Sequence, residues 1–214
     1  MNKELKKRVL SSIILLPIIL YFIIKGSFLF NLFILICFFI SIFEWHMMTK
    51  KFLYKIFGII FLILSFYTIY KIRNDFVYDY YYFLLITLVC ISTDMGGYVF
   101  GNIFKGPKLT KISPKKTYSG MVGGYLLSII FVNFFLNTSF NSTKIELTVD
   151  TLVLIILIST VSQIGDLIVS YFKRLSNIKD TGKIIPGHGG LLDRIDGMIF
   201  AFPFSYLILI NGYY

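Results

Sequence analysis

A polar stretch of the chain, residues 165–196, places carboxylates among lysines and arginines between two strongly apolar runs. Charged groups in or beside a membrane segment are costly, so their presence indicates function. Carboxylate oxygens bind hard cations, whereas ammonium and guanidinium groups bind phosphate. The stretch therefore predicts a site for a metal-bound phosphate compound at a membrane surface. Its charged residues and its histidine are Asp166, Lys173, Arg174, Lys179, Asp180, Lys183, His188, Asp193, Arg194 and Asp196.

The spacing of the acids predicts how two helices present them. Asp166, Ser170 and Lys173 are four and three residues apart, so they share one face of a helix. Asp193 and Asp196 are three residues apart and share a face of the next helix. A carboxylate inside a membrane helix needs a cation or a cationic partner. Carboxylates and phosphate oxygens around Mg²⁺ are typical of phosphoryl and nucleotidyl transfer. The alternative is a set of interhelical salt bridges, for example from Arg194 to Asp166 or Asp196.

Two loops carry groups that suit an anion. The segment 184–192 surrounds His188 with three glycines, which let backbone N–H groups turn toward an anion just before a helix N-terminus. His188 itself suits a proton carrier, a phosphate ligand or a structural hydrogen bond, and the sequence does not choose among them. The other loop is the most basic in the chain, and its cations and hydroxyls suit a triphosphate or a lipid phosphate. The residues concerned are Ser113, Lys115, Lys116 and Thr117.

The elements that must position these residues are membrane helices. The chain has 214 residues, of which 57% are hydrophobic and 15% charged, and its mean hydropathy is +0.79. Apolar runs recur along the whole length, which predicts an all-α, polytopic helical bundle forming one membrane domain. We predict about seven transmembrane helices, near residues 9–24, 28–43, 52–70, 77–93, 120–136, 152–172 and 191–210. Residues 1–75 would form the N-terminal helices and 76–214 the catalytic region.

The basic residues predict the orientation of this bundle. With the N-terminus in the cytoplasm, 17 of the 21 lysines and arginines fall on the cytoplasmic side and 4 outside. Both basic loops then lie on the cytoplasmic face. The net charge of +10 is explained by this topology and by anionic lipid, and we expect no nucleic-acid partner.

Two polar features lie outside the main stretch. Glu44, Trp45 and His46 end the second predicted helix. They are typical of an interfacial anchor, and the alternative is that Glu44 or His46 contributes to the polar site. Asp94 is followed by Gly96 and Gly97, which permit either a tight turn or a close backbone approach.

Residues 170–196 resemble the signature of the phosphatidate cytidylyltransferases, also called CDP-diglyceride synthases. Two shorter segments agree with that family. Residues 94–101 are similar to its Asp-x-Gly-Ala-Tyr segment, with Gly97 where alanine is usual, and residues 113–117 match its Ser-Pro-Lys-Lys-Thr segment. Ser119 departs from the pattern, because the family usually has a glutamate there. The signature positions as they stand here are Ser170, Tyr171, Phe172, Lys173, Arg174, Lys179, Asp180, Pro186, Gly187, His188, Gly189, Gly190, Asp193, Arg194, Ile195 and Asp196.

The resemblance implies the reaction of CTP with phosphatidate to give CDP-diacylglycerol and pyrophosphate, in an inner membrane with the site facing the cytoplasm. It implies Mg²⁺, in a pair of cations, with Asp166 and Asp193 as ligands and Asp196 and Asp180 as second choices. Catalytic roles would fall to Asp166, Asp193, Lys173, Arg174 and His188. Substrate-binding roles would fall to Ser113, Lys115, Lys116, Thr117, Lys179, Arg194 and Asp94. A homodimer is one assembly that the sequence allows.

Three other functions have distinct signatures. A CTP-dependent lipid-alcohol kinase of related fold would release CDP and a phospholipid. CDP-alcohol phosphotransferases carry a differently spaced acidic motif, which the chain lacks. An ion or phosphate transporter predicts charges near the midplane or two matching halves with broken helices, whereas the charges here crowd at one border.

Overall fold

The computed structural model of the protein describes residues 17–75, 80–137, 147–185 and 189–211. Over these ranges the chain is helical, with two isolated β-bridges and no β-strand. Helix α1 includes residues 17–25. The helices that follow are α2 (Ser27–Met48), α3 (Phe52–Asn74), α4 (Tyr81–Phe104), α5 (Tyr118–Leu136), α6 (Val149–Leu175), α7 (Leu192–Ile195) and α8 (Met198–Ile210).

Five helices, α2 to α6, are long and apolar enough to cross a membrane. A span needs about 20 apolar residues, and these helices have 19 to 27. The prediction of an all-α, polytopic membrane protein is therefore confirmed. The predicted count of seven helices holds approximately, because the described residues of α1 and the 13 residues of α8 make shorter helices.

One predicted helix end was wrong, and one predicted helix is interrupted. Helix α4 does not end near Thr93 but continues to Phe104, so Asp94 lies on a helix. The predicted helix over 191–210 is interrupted at Asp196 and Gly197, which separate α7 from α8 although both keep helical dihedral angles. A Cβ at Gly197 would lie 2.9 Å from the Ser162 carbonyl oxygen of α6. The close approach of α6 therefore requires a glycine at this break.

The chain divides into two compact units. Unit 1 contains Met1–Tyr80 and Phe172–Asp196, and unit 2 contains Tyr81–Tyr171 and Gly197–Tyr214. Helix α6 contributes residues to both.

Unit 1 is held by aromatic and buried polar contacts. The Trp45 indole donates to the Tyr54 carbonyl at 3.1 Å and meets the Phe172 ring edge-on at 5.1 Å between centroids. Gly58 leaves the space that the indole fills. At the other end of α3, buried Arg73 donates to the Ile23 carbonyl at 2.8 Å, which satisfies an acceptor at the end of α1.

Unit 2 is organised by the close packing of α4 on α5. A Cβ at Gly96 would collide with the Gly123 carbonyl oxygen, and a Cβ at Gly120 would lie 2.7 Å from the Gly97 carbonyl oxygen. Small residues let membrane helices approach closely, because packing replaces the hydrophobic effect in lipid. Of the two roles that the sequence left open for Gly96 and Gly97, the structure has close backbone approach rather than a turn.

Candidate functional site

In unit 2, the basic loop meets an acid of α6. Lys116 Nζ lies 2.5 Å from Asp166 Oδ2, and each side chain is 25% exposed. The Ser170 hydroxyl donates to the other oxygen of Asp166 at 3.2 Å, as their spacing of four residues predicts. The contact joins two segments that are 50 residues apart in the sequence, and it places an ammonium and a carboxylate together, each partly exposed at the protein surface.

The loop between α4 and α5 has a defined backbone. The Leu109 amide donates to the Lys116 carbonyl at 2.8 Å, and the Lys116 amide donates to the Ser113 carbonyl at 3.0 Å. Thr117 is the N-cap of α5, with its hydroxyl accepting from the Gly120 amide at 3.1 Å. Ser119, which replaces the family's usual glutamate, donates its hydroxyl to the Lys105 carbonyl. Ser119 thus closes the loop without supplying a charge.

In unit 1, one lysine faces two acids. Lys173 Nζ lies 2.9 Å from Asp193 Oδ1 and 3.7 Å from Asp196 Oδ2. The side-chain exposures are 9% for Lys173, 5% for Asp193 and 9% for Asp196. The two acids therefore share a face, as predicted. The ion pair is largely out of water, where removing one charge would leave the other uncompensated.

Asp193 is also bound by the loop that precedes it. Its Oδ2 accepts from the Thr181 amide at 2.8 Å and from the Gly190 amide at 3.0 Å. Burial raises the pKa of Asp193, but the hydrogen bonds from Lys173, Gly190 and Thr181 outweigh burial and hold that pKa below its ordinary value. Asp193 therefore lies ionised in a complete set of donors.

The end of α6 is shaped by its own backbone. Asn177 adopts a left-handed conformation at φ 56°, and the Ile178 amide donates to the Lys173 carbonyl at 3.0 Å. This is a Schellman termination, in which asparagine can replace the usual glycine. Arg174 donates to the Ile178 carbonyl at 3.1 Å, so it binds the loop that follows the helix.

The other predicted site residues that the structure describes are exposed or partly exposed. Asp180 nevertheless borders the bound loop, because a Cβ at Gly189 would lie 3.4 Å from the Asp180 Cβ and 2.8 Å from Asp193 Oδ2. Ser113 and Thr117 are partly exposed. His188 lies outside the described residues. The exposed residues are Asp94, Lys115, Arg174, Lys179, Asp180 and Arg194.

Glu44 is a buried acid that the predicted set did not include. Its side chain is in the core of unit 1, with 2% of the residue exposed. It accepts from the Leu191 amide at 2.9 Å, from the Leu192 amide at 2.8 Å and from the Thr181 hydroxyl at 2.9 Å. Trp45 is also buried. Both side chains are thus buried in protein, and of the two roles considered for Glu44 the contact with the polar loop is the one present.

The two principal acids differ in their fitness for a cation. Asp166 fits one, because its carboxylate is partly exposed and its protein partners are one ammonium and one hydroxyl. Asp193 as it lies does not, since its oxygens are occupied by Lys173 and two backbone amides. Within the described ranges, no three histidine, cysteine, aspartate or glutamate side chains lie close enough together to hold a metal ion.

Comparison with known proteins identifies the family. The chain is 35% identical to a phosphatidate cytidylyltransferase of Rickettsia felis, over 95% of this chain and 91% of the relative. The same enzyme of Rickettsia bellii is 35% identical, over 100% and 93%. That of Staphylococcus saprophyticus is 41% identical over 61% of this chain, which spans only 50% of that relative. A model of the cytidylyltransferase family matches residues 49–211. With most of its length matched, the chain belongs to the cytidylyltransferase family.

Proposed function

We propose that the protein transfers a cytidylyl group from CTP to phosphatidate, giving CDP-diacylglycerol and pyrophosphate. The relatives that align over nearly the whole chain bear the name phosphatidate cytidylyltransferase. The observation that carries the proposal is the contact between Lys116 and Asp166. It brings the Ser-Pro-Lys-Lys-Thr segment, with its hydroxyls and cations, to the acid of α6.

The chemistry demands that negative charge be neutralised twice. A phosphate oxygen of phosphatidate forms a bond to the α-phosphorus of CTP, and the bond from that phosphorus to the bridging oxygen of the β-phosphate breaks. Both reactants are anions, so their approach needs cations, and the departing pyrophosphate gains charge. We assign this work in unit 2 to Lys116 and Lys115, whose ammonium groups are partly or fully exposed.

The proposed role of Lys116 follows from its exposure. Exposed ion pairs are worth about 0–1 kcal/mol, so an arriving phosphate can take Lys116 from Asp166 at small cost. We propose that Asp166 is the carboxylate open to Mg²⁺, which when bound neutralises phosphate charge. Asp193, Asp196 and Asp180 stay predicted metal ligands. His188 and Arg194 stay predicted site residues. The presence of a second cation also stays a prediction.

The protein is a multi-pass membrane protein. We propose that it lies in the inner membrane with its basic loops toward the cytoplasm, where CTP is found, while the acyl chains of phosphatidate stay in lipid. The distribution of lysine and arginine supports this orientation. The homodimer stays a prediction.

The test is an assay of the purified protein in detergent with phosphatidate, Mg²⁺ and CTP labelled at the α-phosphate. We expect the label in a CDP-lipid and equimolar pyrophosphate in solution. With a lipid alcohol supplied in place of phosphatidate, label in CDP and none in lipid would identify a lipid kinase instead, and label left in CTP in the presence of phosphatidate would overturn the proposal. Asp166→Asn should lower the rate at least about 100-fold if its charge acts in the reaction.

A further inference from the structure

One loop of unit 1 donates hydrogen bonds to two carboxylates. Three consecutive backbone amides point at acids: Gly190 at Asp193, and Leu191 and Leu192 at Glu44. Thr181 does the same from the other side of the loop, because its amide donates to Asp193 and its hydroxyl to Glu44. Asp193 and Glu44 thus hold the same segment through five hydrogen bonds of 2.8 to 3.0 Å.

The loop is built around the Glu44 side chain. A Cβ at Gly182 would lie 2.6 Å from Glu44 Oε1, and a Cβ at Gly190 would lie 2.5 Å from Glu44 Oε2. Both glycines therefore leave the space that the carboxylate occupies. Glu44 is 2% exposed, and a buried carboxylate is stable only when its oxygens are hydrogen-bonded. The three donors that satisfy it all come from residues 181–192.

Glu44 lies far from this loop in the sequence. It is 137 residues before Thr181 and precedes residues 49–211, over which the family model matches. It lies four residues before the end of α2, whose other buried polar residue, Ser41, donates to the Cys37 carbonyl of the same helix. Glu44 is thus the polar side chain by which α2 reaches the segment leading to Asp193.

We propose that Glu44 is a positioning residue for the reaction. Its carboxylate holds Thr181, Leu191 and Leu192, so that the Thr181 and Gly190 amides hold Asp193 against Lys173. This inference rests on the proposed function for its kinetic part and on the hydrogen bonds alone for its structural part. Asp193 stays a predicted ligand of the proposed reaction, and a misplacement of about 1 Å at such a group can cost 10²-fold in rate, so Glu44 should affect turnover without touching substrate.

The test compares Glu44→Gln with Ser41→Ala in the full-length protein in detergent. Glutamine has the same shape, but its amide nitrogen must face one of the backbone N–H donors. We expect kcat for CDP-lipid formation to fall about 100-fold, with KM for CTP changing less than about threefold, because the hydrogen bonds of Glu44 go to Thr181, Leu191 and Leu192 and not to the lysines assigned to CTP. Deuterium exchange at the Leu191 and Leu192 amides should accelerate at least about tenfold. Ser41→Ala should match the unsubstituted protein in all three quantities.

Thr181→Val is the second variant, chosen because it removes one donor to Glu44 and keeps the shape of the side chain. It should accelerate exchange at the same amides and lower kcat less than Glu44→Gln. Normal exchange and normal kcat in either variant would overturn the proposal, as would faster exchange spread over all helices with normal kcat per folded molecule. If the unsubstituted protein makes no CDP-lipid, the proposed function fails and the exchange measurements still decide the role of Glu44 in the loop.

Discussion

Each unit of the protein contains a lysine–aspartate pair that involves α6, and the two pairs differ in burial. Lys173 and Asp193 in unit 1 are 9% and 5% exposed, whereas Lys116 and Asp166 in unit 2 are both 25% exposed. Asp193 accepts two further backbone hydrogen bonds, and Asp166 accepts one from the Ser170 hydroxyl.

The difference in burial gives the two ion pairs different roles, one structural and one reactive. A buried pair with all of its donors in place is costly to open, because each charge left alone stays out of water. A pair that solvent reaches exchanges partners at small cost. We therefore expect Lys173–Asp193 to hold the framework and Lys116–Asp166 to open when anionic substrate binds.

Removing Lys173 should give the largest effect on stability. In Lys173→Met the ammonium that faces both Asp193 and Asp196 is lost, which should cost about 3–5 kcal/mol of unfolding free energy. Thermal unfolding of the purified protein in detergent measures this loss. Lys183→Met, at an exposed lysine of the following loop, should stay within about 0.5 kcal/mol of the unsubstituted protein. Equal shifts in the two variants would contradict the framework role.

Packing of α4 on α5 should come next. Gly96→Ala places a methyl group against the Gly123 carbonyl oxygen, whereas Gly97→Ala meets the Gly120 carbonyl oxygen only at 3.8 Å. We expect Gly96→Ala to cost about 1–3 kcal/mol and Gly97→Ala to be neutral or stabilising by up to about 1 kcal/mol. The same unfolding measurement applies. A neutral Gly96→Ala would contradict the close approach of α4 and α5 at this position.

Lys116→Gln should change stability by less than about 1 kcal/mol and yet weaken the reaction. We expect a higher KM for CTP in the cytidylyl-transfer assay, because a cation that meets the triphosphate is gone. Lys111→Gln removes the same charge from an exposed position of the same loop and is the matched control. If both variants raise KM for CTP equally, CTP binding depends on the total charge of the loop and not on the contact of Lys116 with Asp166.

The smallest effect is expected from mild acid. The pKa of Asp193 is below its ordinary value, so its stabilising contribution is complete above the unfolded pKa of about 3.9 and is lost as pH falls through the folded value. The difference in unfolding free energy between the unsubstituted protein and Asp193→Asn should therefore stay constant from about pH 7 to pH 5. A difference that already shrinks at about pH 6 would mean that the Asp193 carboxylate takes up protons there.

Sequence reasoning reached the features that depend on local composition. Apolar length predicted α2 to α6, and helical periodicity predicted that Asp193 and Asp196 share a face. The same reasoning ended α4 near Thr93, where Asp94 and two glycines that permit a turn follow the apolar run. In the structure the packing of α5 overrides that preference, as tertiary contacts often do.

Helical periodicity could not predict contacts between segments that are distant in the sequence. Nothing near Lys116 indicates that its partner is Asp166, and nothing near Glu44 indicates three donors beyond residue 180. The sequence over 191–210 also gives no indication of the interruption at Gly197, which depends on the nearness of Ser162. One local signal did exist, since Glu44 is a carboxylate at the end of an apolar helix, where charge is expensive.

The close packing of α4 on α5 has a consequence for the order in which the protein is made. These helices and the loop between them are contiguous, and the hydrogen bonds that shape the loop all lie between Lys105 and Gly120. The helical hairpin can therefore form as soon as Leu136 has left the ribosome and entered the membrane. At that moment Asp166, 30 residues further along the chain, has not left the ribosome. The basic loop thus forms before Asp166 can contact it, whereas the hydrogen bonds to Glu44 can be complete only when residue 192 has been added.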